Sequence, residues 1–439
     1  MTASGTTRVL AALQLCLRML AAGVGLIVLV SVLRGGPWSI DRLASLPRSV
    51  GAVLSTSTSS SSSADMRPVG RARLQRQLQE LLAHHATLVV RFMRSTVSED
   101  AGFVDAANAV LIRNTEDLQT TLAPVIGTDD AAAVAKGWAD HTQALFRYAA
   151  ALRDDDDAAQ QDARQELVSY VDEQATLLAD ATGGHVGQDM ASAGLRMQID
   201  LLLYQIDAYA RGDYEQAYEL EREAYMHMYP FAAGLAAGAT GHSPDAVHGS
   251  PLEQLTSQLS SLLGAQVELS IDALRAGVAG SDDFAAATTV LDANSRELSA
   301  TLNGLVGARA SRQLTALWAD QIDLLMRYAV AVAEHEPSAR RQVRERLRAV
   351  TGRFGRTLRA VTHDKADAAA AVDVLRSQQL LLLDQIEAYA VGDHAAAHDI
   401  SYGAHHRVYG LAHALAKALA ADIPQGGAQT GGGGTATDA

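Results

Sequence analysis

Residues 201–213 read LLLYQIDAYARGD, and residues 381–393 read LLLDQIEAYAVGD. The two phrases begin 180 residues apart, and each is an apolar run that stops at Gly-Asp before an alanine-rich stretch. Glycine just after a helix and aspartate just before the next one are common stop and start signals. The phrases therefore predict one helix end and turn that occurs in two copies of a repeat.

Landmarks on both sides of the phrase keep nearly the same spacing. Matching pairs are Asn114 with Asn294, Gly127 with Gly307, Trp138 with Trp318, Tyr148 with Tyr328, and Tyr229 with Tyr409. We therefore predict repeat 1 over residues 71–238 and repeat 2 over residues 251–421, joined by a linker over 239–250.

Within each repeat, apolar residues recur at alternating separations of three and four, as at Leu74, Leu78 and Leu81. This spacing is typical of an α-helix with one buried face. In repeat 1, breaks at Ser98-Glu99-Asp100, Gly127-Thr128-Asp129, residues 154–157, Gly183-Gly184 and Gly212-Asp213 predict about six helices. We expect the same number in repeat 2, and the short connections favour antiparallel neighbours. We predict an all-α fold with two tandem antiparallel helical bundles of about six helices each, after an N-terminal hydrophobic segment.

The composition narrows the function. The chain has 439 residues, of which 48% are apolar and only 5% aromatic, as is typical of helix-on-helix packing. A net charge of −14 argues against a nucleic-acid partner, which would require a basic face. Cys16 is the only cysteine, so neither an intrachain disulfide nor a cysteine-based zinc site is available.

Residues 19–33 form an apolar run with Arg18 before it and Arg34 after it. The run is shorter than the roughly 20 residues of a full membrane span, but it suits an anchor whose arginines reach the interface, or a signal peptide. We predict a signal anchor or signal peptide over 1–36, a Ser-rich tether over 37–70, and a disordered Gly-rich tail over 422–439. The expected location is the cell membrane, single-pass, with the bulk of the chain outside the cytoplasm. The alternative is secretion after signal cleavage.

Several helices of repeat 1 carry a polar residue or methionine where the apolar stripe predicts an aliphatic side chain. This polar layer comprises His85, Asn114, His141, Gln174, Gln198 and Met228, with His227 beside it. A buried polar group without a partner costs about 1–3 kcal/mol, so a layer of them indicates a hydrogen-bond network or a ligand. In repeat 2 the positions of His85, His141 and Met228 hold Gln266, Gln321 and Val408.

Imidazoles and a thioether on one level of a bundle suit a soft or borderline metal such as copper, or another transition metal. The candidate metal ligands are His85, His141, His227 and Met228, with Asn114, Gln174 and Gln198 as supporting polar groups. The alternative is a hydrogen-bond network in which these side chains bond only to one another and fix the helix register. The glutamines of repeat 2 fit this alternative, because glutamine, like histidine, offers a donor and an acceptor. A small organic ligand is the third interpretation.

A second histidine pattern lies on the last helix. His394, His398 and His405 fall within about 40° of one another on a helical wheel, at the edge of the core face. They form either a surface histidine stripe with a metal clip or a packing flank between the repeats. The equivalent positions in repeat 1 are tyrosines, which favours packing.

The sequence contains no Gly-rich phosphate loop, no G-x-S-x-G elbow and no H-E-x-x-H motif. We therefore expect a non-enzymatic binding or scaffold role, with the membrane as one partner, an unknown protein as another, and no nucleic acid. The alternative is copper-like metal binding or handling through the polar layer.

The repeat resembles a loosely defined, largely uncharacterised group of exported bacterial helical-bundle proteins. The resemblance rests on Leu81-Leu82 with His84 or His85, Arg113-Asn114, Trp138 with His141, and His227-Met228. It covers most of repeat 1 and, more weakly, repeat 2. That group carries a further histidine in the fifth helix, where this chain has Gln198. The resemblance implies export and a helical-bundle fold.

Overall fold

The computed structural model describes residues 70–242, 249–362 and 365–420. In this part of the chain the fold is all-α. Repeat 1 contains α1 (Arg71–Val97), α2 (Ala101–Ile126), α3 (Thr128–Arg153), α4 (Asp157–Ala181), α5 (Gln188–Ala210) and α6 (Tyr214–Ala239). Repeat 2 contains α7 (Pro251–Ala279), α8 (Phe284–Ala333), α9 (Pro337–Val361), α10 (Lys365–Ala390) and α11 (His394–Ala420).

The predicted anchor or signal over 1–36, all of the 37–70 tether except Gly70, and the 422–439 tail lie outside the described residues. So does the middle of the linker, residues 243–248. None of the described helices has the length and apolar content needed to cross a membrane. The described residues of both repeats belong to one compact unit, so the linker does not divide them into two.

The helix α8 is bent where repeat 1 has a helix boundary. Gly307 interrupts α8 with a φ of 76°, and its counterpart Gly127 separates α2 from α3 with a φ of 95°. Glycine adopts this conformation without the clash that a Cβ atom would cause. Both repeats therefore consist of six helical segments in the same order.

The duplicated phrase ends a helix in both repeats, as predicted. In repeat 1, α5 ends at Ala210 and Gly212 follows with a φ of 79°; in repeat 2, α10 ends at Ala390 and Gly392 has a φ of 77°. Asp393 then accepts a hydrogen bond from the backbone of Ala396, 3.0 Å away, at the start of α11. The Gly-Asp pair is thus a turn and a helix start.

Two polar residues of the phrase hold neighbouring helices in place. Gln205 accepts a hydrogen bond from Arg94 of α1 at 3.2 Å, and its counterpart Gln385 accepts one from Arg275 of α7 at 3.3 Å. Asp207 accepts from the Tyr148 hydroxyl of α3 at 2.7 Å. The phrase recurs because it performs the same structural role twice.

The first helix of each repeat lies at the centre of the molecule. Every residue is buried over 82–96 of α1 and over 259–277 of α7, on all sides of both helices. A helix on the outside of a bundle buries only one face. Each of these helices therefore packs against its own repeat on one side and the opposite repeat on the other.

Contacts between the repeats are reciprocal. Tyr402 of α11 donates to Asp117 of α2 at 2.6 Å, and Arg222 of α6 pairs with Glu297 of α8. Each position in the first contact is 180 residues from its counterpart in the second, as expected when a pseudo-twofold axis relates two repeats. Tyr229 and Tyr409 are also counterparts, and their hydroxyls are 2.6 Å apart.

Candidate metal centre

Two histidines face each other in the core of repeat 1. His85 lies on α1 and His141 on α3, and their exposed fractions are 2% and 3%. Their Nε2 atoms are 3.4 Å apart, whereas hydrogen bonds from nitrogen are usually about 2.7–3.2 Å long. Two imidazole nitrogens at about 2.0–2.1 Å from one tetrahedral metal ion would be about 3.3–3.4 Å apart. The separation equals that of a ligand pair and is at the long end for a direct hydrogen bond between the two rings.

Asn114 of α2 orients the His85 ring. The amide nitrogen of Asn114 donates to the Leu81 carbonyl at 3.1 Å, which turns its oxygen towards His85 Nδ1 at 3.2 Å. An amide oxygen only accepts, so His85 carries its proton on Nδ1 and leaves Nε2 with a free lone pair. Metal-bound histidines are commonly held in this way by a carbonyl oxygen.

His141 is enclosed by aromatic rings. Its ring stacks on Tyr170 with centroids 4.6 Å apart and meets Trp138 edge-on at 5.3 Å. Burial lowers the pKa of His141 to about 4, and burial followed by the neighbouring His141 lowers the pKa of His85. Both rings are therefore neutral at pH 7, the form that binds metals.

The core of repeat 2 indicates which other side chains of repeat 1 lie at the same height along the helices as His85 and His141. A cavity of about 20 Å³ in its core is lined in part by Gln266, Gln321, Gln378 and Val408. Their counterparts in repeat 1, in the same order, are His85, His141, Gln198 and Met228. Because the two repeats share one helix order and spacing, we expect the Gln198 amide and the Met228 thioether beside the two imidazoles.

The side chains of Gln198 and Met228 are available for a ligand. Met228 is 1% exposed, and Gln198 is 5% exposed. Neither the amide oxygen nor the amide nitrogen of Gln198 has a hydrogen-bond partner among the described residues. With His85 and His141, the layer offers two imidazole nitrogens, a thioether sulfur and an amide oxygen, a mixed set that suits copper among the common metals.

Two other members of the predicted set lie elsewhere. His227 Nε2 is 2.9 Å from the Gly194 carbonyl oxygen, and its ring packs against Phe231. Adjacent helical residues point about 100° apart, so His227 faces away from the layer that Met228 joins. Gln174 donates to the Val134 carbonyl at 3.1 Å and supports the packing of α3. The structure does not bring His227 to the candidate site.

The histidines of α11 do not form a surface stripe. His398 and His405 are each 1% exposed, and His394 is half-buried. The reason is that α11 packs against helices of repeat 1 as well as against its own repeat. Phe103 of α2 meets the rings of His394 and His398 at 5.6 and 4.5 Å. These residues are a packing flank between the repeats.

A second group with metal-binding side chains lies at this interface. Ligand atoms of His84, Glu268 and His405 are all within 4.8 Å of one another. However, the His84 and His405 rings are stacked, 3.9 Å apart and inclined by 12°. The lone pair of an imidazole lies in the plane of its ring. Two stacked rings therefore direct their lone pairs along separate planes, and these do not converge on one metal ion. Arg91 already pairs with Glu268 at 2.6 Å. The arrangement fits a buried ion-pair network better than a chelate.

The network continues into a pair of carboxyl groups. Glu221 of α6 and Asp272 of α7 each have one oxygen without a hydrogen-bond donor, although both residues are buried. Burial, with a further contribution from Asp272, raises the pKa of Glu221 to about 8. Ionising Glu221 places a buried negative charge near a second carboxyl group, so Glu221 keeps its proton to a higher pH than an exposed glutamate does.

The apolar pattern of the sequence does not indicate the interface cluster. His84 lies next to His85 in the sequence, and adjacent helical residues point about 100° apart, so it does not belong to the apolar stripe that His85 interrupts. The available signal is opposite charge at equivalent positions: Arg91 of α1 corresponds to Asp272 of α7. Opposite charges at counterpart positions are what a pseudo-twofold interface pairs.

Comparison of the chain with protein-family models, with curated proteins and with solved structures found no significant match to any of them.

Proposed function

We propose that this chain is a membrane-tethered, extracytoplasmic, non-enzymatic protein of two tandem helical bundles, and that repeat 1 binds one transition-metal ion. The observation that carries the proposal is the pair of facing His85 and His141 Nε2 atoms, 3.4 Å apart. The Asn114 oxygen supports it, because it leaves His85 Nε2 unprotonated.

Copper is the metal that the layer suits best. A thioether is a soft ligand that favours Cu(I), and imidazole binds both copper oxidation states. The charged ligands that hard cations such as Mg²⁺ and Ca²⁺ prefer are missing from the layer, which consists of His85, Asn114, His141, Gln198 and Met228. Repeat 2 replaces the imidazoles with Gln266 and Gln321 and the thioether with Val408, so it lacks these ligands.

We expect the full-length chain to bind one equivalent of Cu(I), measured by competition with a colorimetric chelator. All proteins in this comparison should carry Cys16→Ser, which removes the only thiol of the chain and leaves the polar layer unchanged. The double variant His85→Gln/His141→Gln should lose this equivalent. It carries the side chains that repeat 2 has at these positions, so we expect it to fold with the same helix content by circular dichroism.

The matched control is Gln266→Ala/Gln321→Ala, which changes the counterpart layer in repeat 2. It should bind as much Cu(I) as the parent. The proposal fails if the parent binds no more copper than the His-to-Gln variant, since the layer would then be a structural hydrogen-bond network. It also fails if the repeat 2 control loses the metal.

The proposed membrane tether lies in the N-terminal residues, which the structure does not describe. It is supported by the apolar run at 19–33 with Arg18 and Arg34 at its ends, and by the Ser-rich stretch that follows. We expect the mature protein in the membrane fraction to retain residues 1–36. Intact-mass measurement would show this, and a mass that lacks these residues would indicate cleavage and secretion instead.

A further inference from the structure

The outer helices of the two repeats carry opposite charges. The helix α9 contains eight arginines and one glutamate, whereas its counterpart α4 contains six acidic residues and one arginine. In the fold, α4 packs on α3 and α5, and α9 packs on α8 and α10. Their outward faces therefore remain open, and their charge difference does not contribute to the contact between the repeats.

Each outer face contains a straight row of three charges. On α9 the row consists of Arg341, Arg348 and Arg359, separated by 7 and then 11 residues. On α4 it consists of Asp162, Glu173 and Asp180, separated by 11 and then 7. Steps of 7 and 11 residues return to within about 20° of the same helical direction, so each row lies along one side of its helix.

The six charges are free to meet a partner. All six residues are exposed. Across residues 70–242, 249–362 and 365–420, none of them forms an ion pair with another side chain. Arg341 donates only to Ser338 of its own helix, at 3.1 Å. By contrast, Arg353 on the flank of α9 is paired with Asp320 of α8.

The two rows match when the helices run antiparallel. At a rise of about 1.5 Å per residue, steps of 7 and 11 residues span about 10.5 and 16.5 Å. The order of the steps is reversed between the rows, so antiparallel helices place all three opposite charges together. The pairs would be Arg341 with Asp180, Arg348 with Glu173, and Arg359 with Asp162. In a parallel arrangement only two of the three pairs can align.

We propose that the α9 row docks antiparallel on the α4 row of a second copy of this chain. The two rows belong to different repeats of one copy, so the contact joins unlike surfaces. Each copy then keeps one row free, and the assembly continues beyond a dimer as an open array. Exposed ion pairs are individually weak and are screened by salt, so the association should be reversible and sensitive to ionic strength.

Sedimentation velocity of the full-length chain in a non-ionic detergent tests the contact. At about 20 mM salt the weight-average mass should rise with protein concentration past that of a dimer, and at about 500 mM salt it should remain that of a monomer. A mass that does not depend on concentration at low salt would overturn the proposal.

Charge reversal tests the pairing itself. The variant Arg341→Glu/Arg348→Glu/Arg359→Glu should lose self-association, and so should Asp162→Arg/Glu173→Arg/Asp180→Arg. An equimolar mixture of the two should recover it, because each reversed row meets an opposite row on the other variant. If the mixture stays monomeric while both variants keep their helix content, the rows do not pair.

The control changes three exposed arginines outside α9, as Arg211→Glu/Arg309→Glu/Arg312→Glu. It alters net charge as much as the α9 variant and should associate like the parent; if it does not, net charge rather than the rows controls assembly. Vesicles containing an anionic phospholipid form the last arm. If the parent is monomeric and binds them through α9, the partner is a lipid surface and the proposal is wrong.

Discussion

Arg91→Met is expected to destabilise the fold by about 3–5 kcal/mol, because it leaves two buried carboxylates without their shared cation. Arg91 Nε donates to Asp272 Oδ1 at 2.7 Å, and its NH1 is 2.6 Å from Glu268 Oε2. The exposed fractions are 4% for Arg91, 1% for Glu268 and 7% for Asp272. Water therefore cannot replace the guanidinium.

Urea unfolding of the full-length chain, followed by circular dichroism, measures the effect. The control is Arg147→Met, which removes an ion pair with Glu166 whose partners are each 51% exposed; it should change stability by no more than about 0.5–1 kcal/mol. Adding Asp272→Leu to Arg91→Met should recover part of the loss, since it removes one uncompensated charge. Equal effects of Arg91→Met and Arg147→Met would show that the buried network is dispensable.

The helices themselves could be predicted from the sequence. The predicted start near Arg71 and the breaks at Gly127, Asp154–Asp157, Gly183-Gly184 and Gly212-Asp213 agree with the observed helix ends to within about two residues. They could be located because apolar periodicity and Gly or Asp at helix ends are local features, which depend on a few neighbouring residues.

The polar layer was also predictable, but only in part. His85, Asn114 and His141 could be recognised because each interrupts an apolar stripe, and the structure brings the three together. The sequence places His227 in the candidate set only because it precedes Met228. The helix turns the two side chains to different sides. Only the packed structure shows that His227 forms a hydrogen bond with the Gly194 carbonyl instead.

The interface between the repeats was not predictable from periodicity. A stripe analysis assigns one buried face to α1, and the remaining positions, among them His84, Thr87 and Arg91, resemble a solvent face because they are polar. These positions are buried by α7 and α11 instead, where Glu268 and His405 meet them. Burial by a distant segment leaves no local pattern, and only comparison of counterpart charges could have indicated it.

Raising the pH from 6.5 to 8 is expected to destabilise the protein through Glu221. The pKa of this buried group is raised to about 8, from an ordinary value of 4.5, first by burial and then by Asp272, against the opposing effect of Arg94. The folded state therefore binds more protons than the unfolded state between these values. Stability from this group is full below pH 4.5 and is lost as the pH rises towards 8.

Buried histidines act in the opposite direction, but over a different range. Burial lowers the pKa of His84, His85, His141 and His398 below 6.5. A lowered histidine pKa means that the unfolded state takes up the proton first, so these groups reduce stability only as the pH falls below about 6.5. The interval from pH 6.5 to 8 therefore separates Glu221 from these four histidines. The Glu80 carboxylate raises the pKa of His406, so the comparison is made in a His406→Gln background.

In the His406→Gln background, adding Glu221→Gln should remove the pH dependence that Glu221 causes in this interval. An amide keeps an oxygen for Arg94, which donates to Glu221 at 2.8 Å in the parent, and it has no proton to lose over this pH range. Urea unfolding midpoints at pH 6.5, 7.2 and 8 would then be equal, whereas those of the His406→Gln parent decline. Glu219→Gln, an exposed position on the same helix, should behave like the parent. A parent midpoint that does not change over this range would mean that Glu221 is already ionised, and that Arg91 and Arg94 together neutralise both carboxylates.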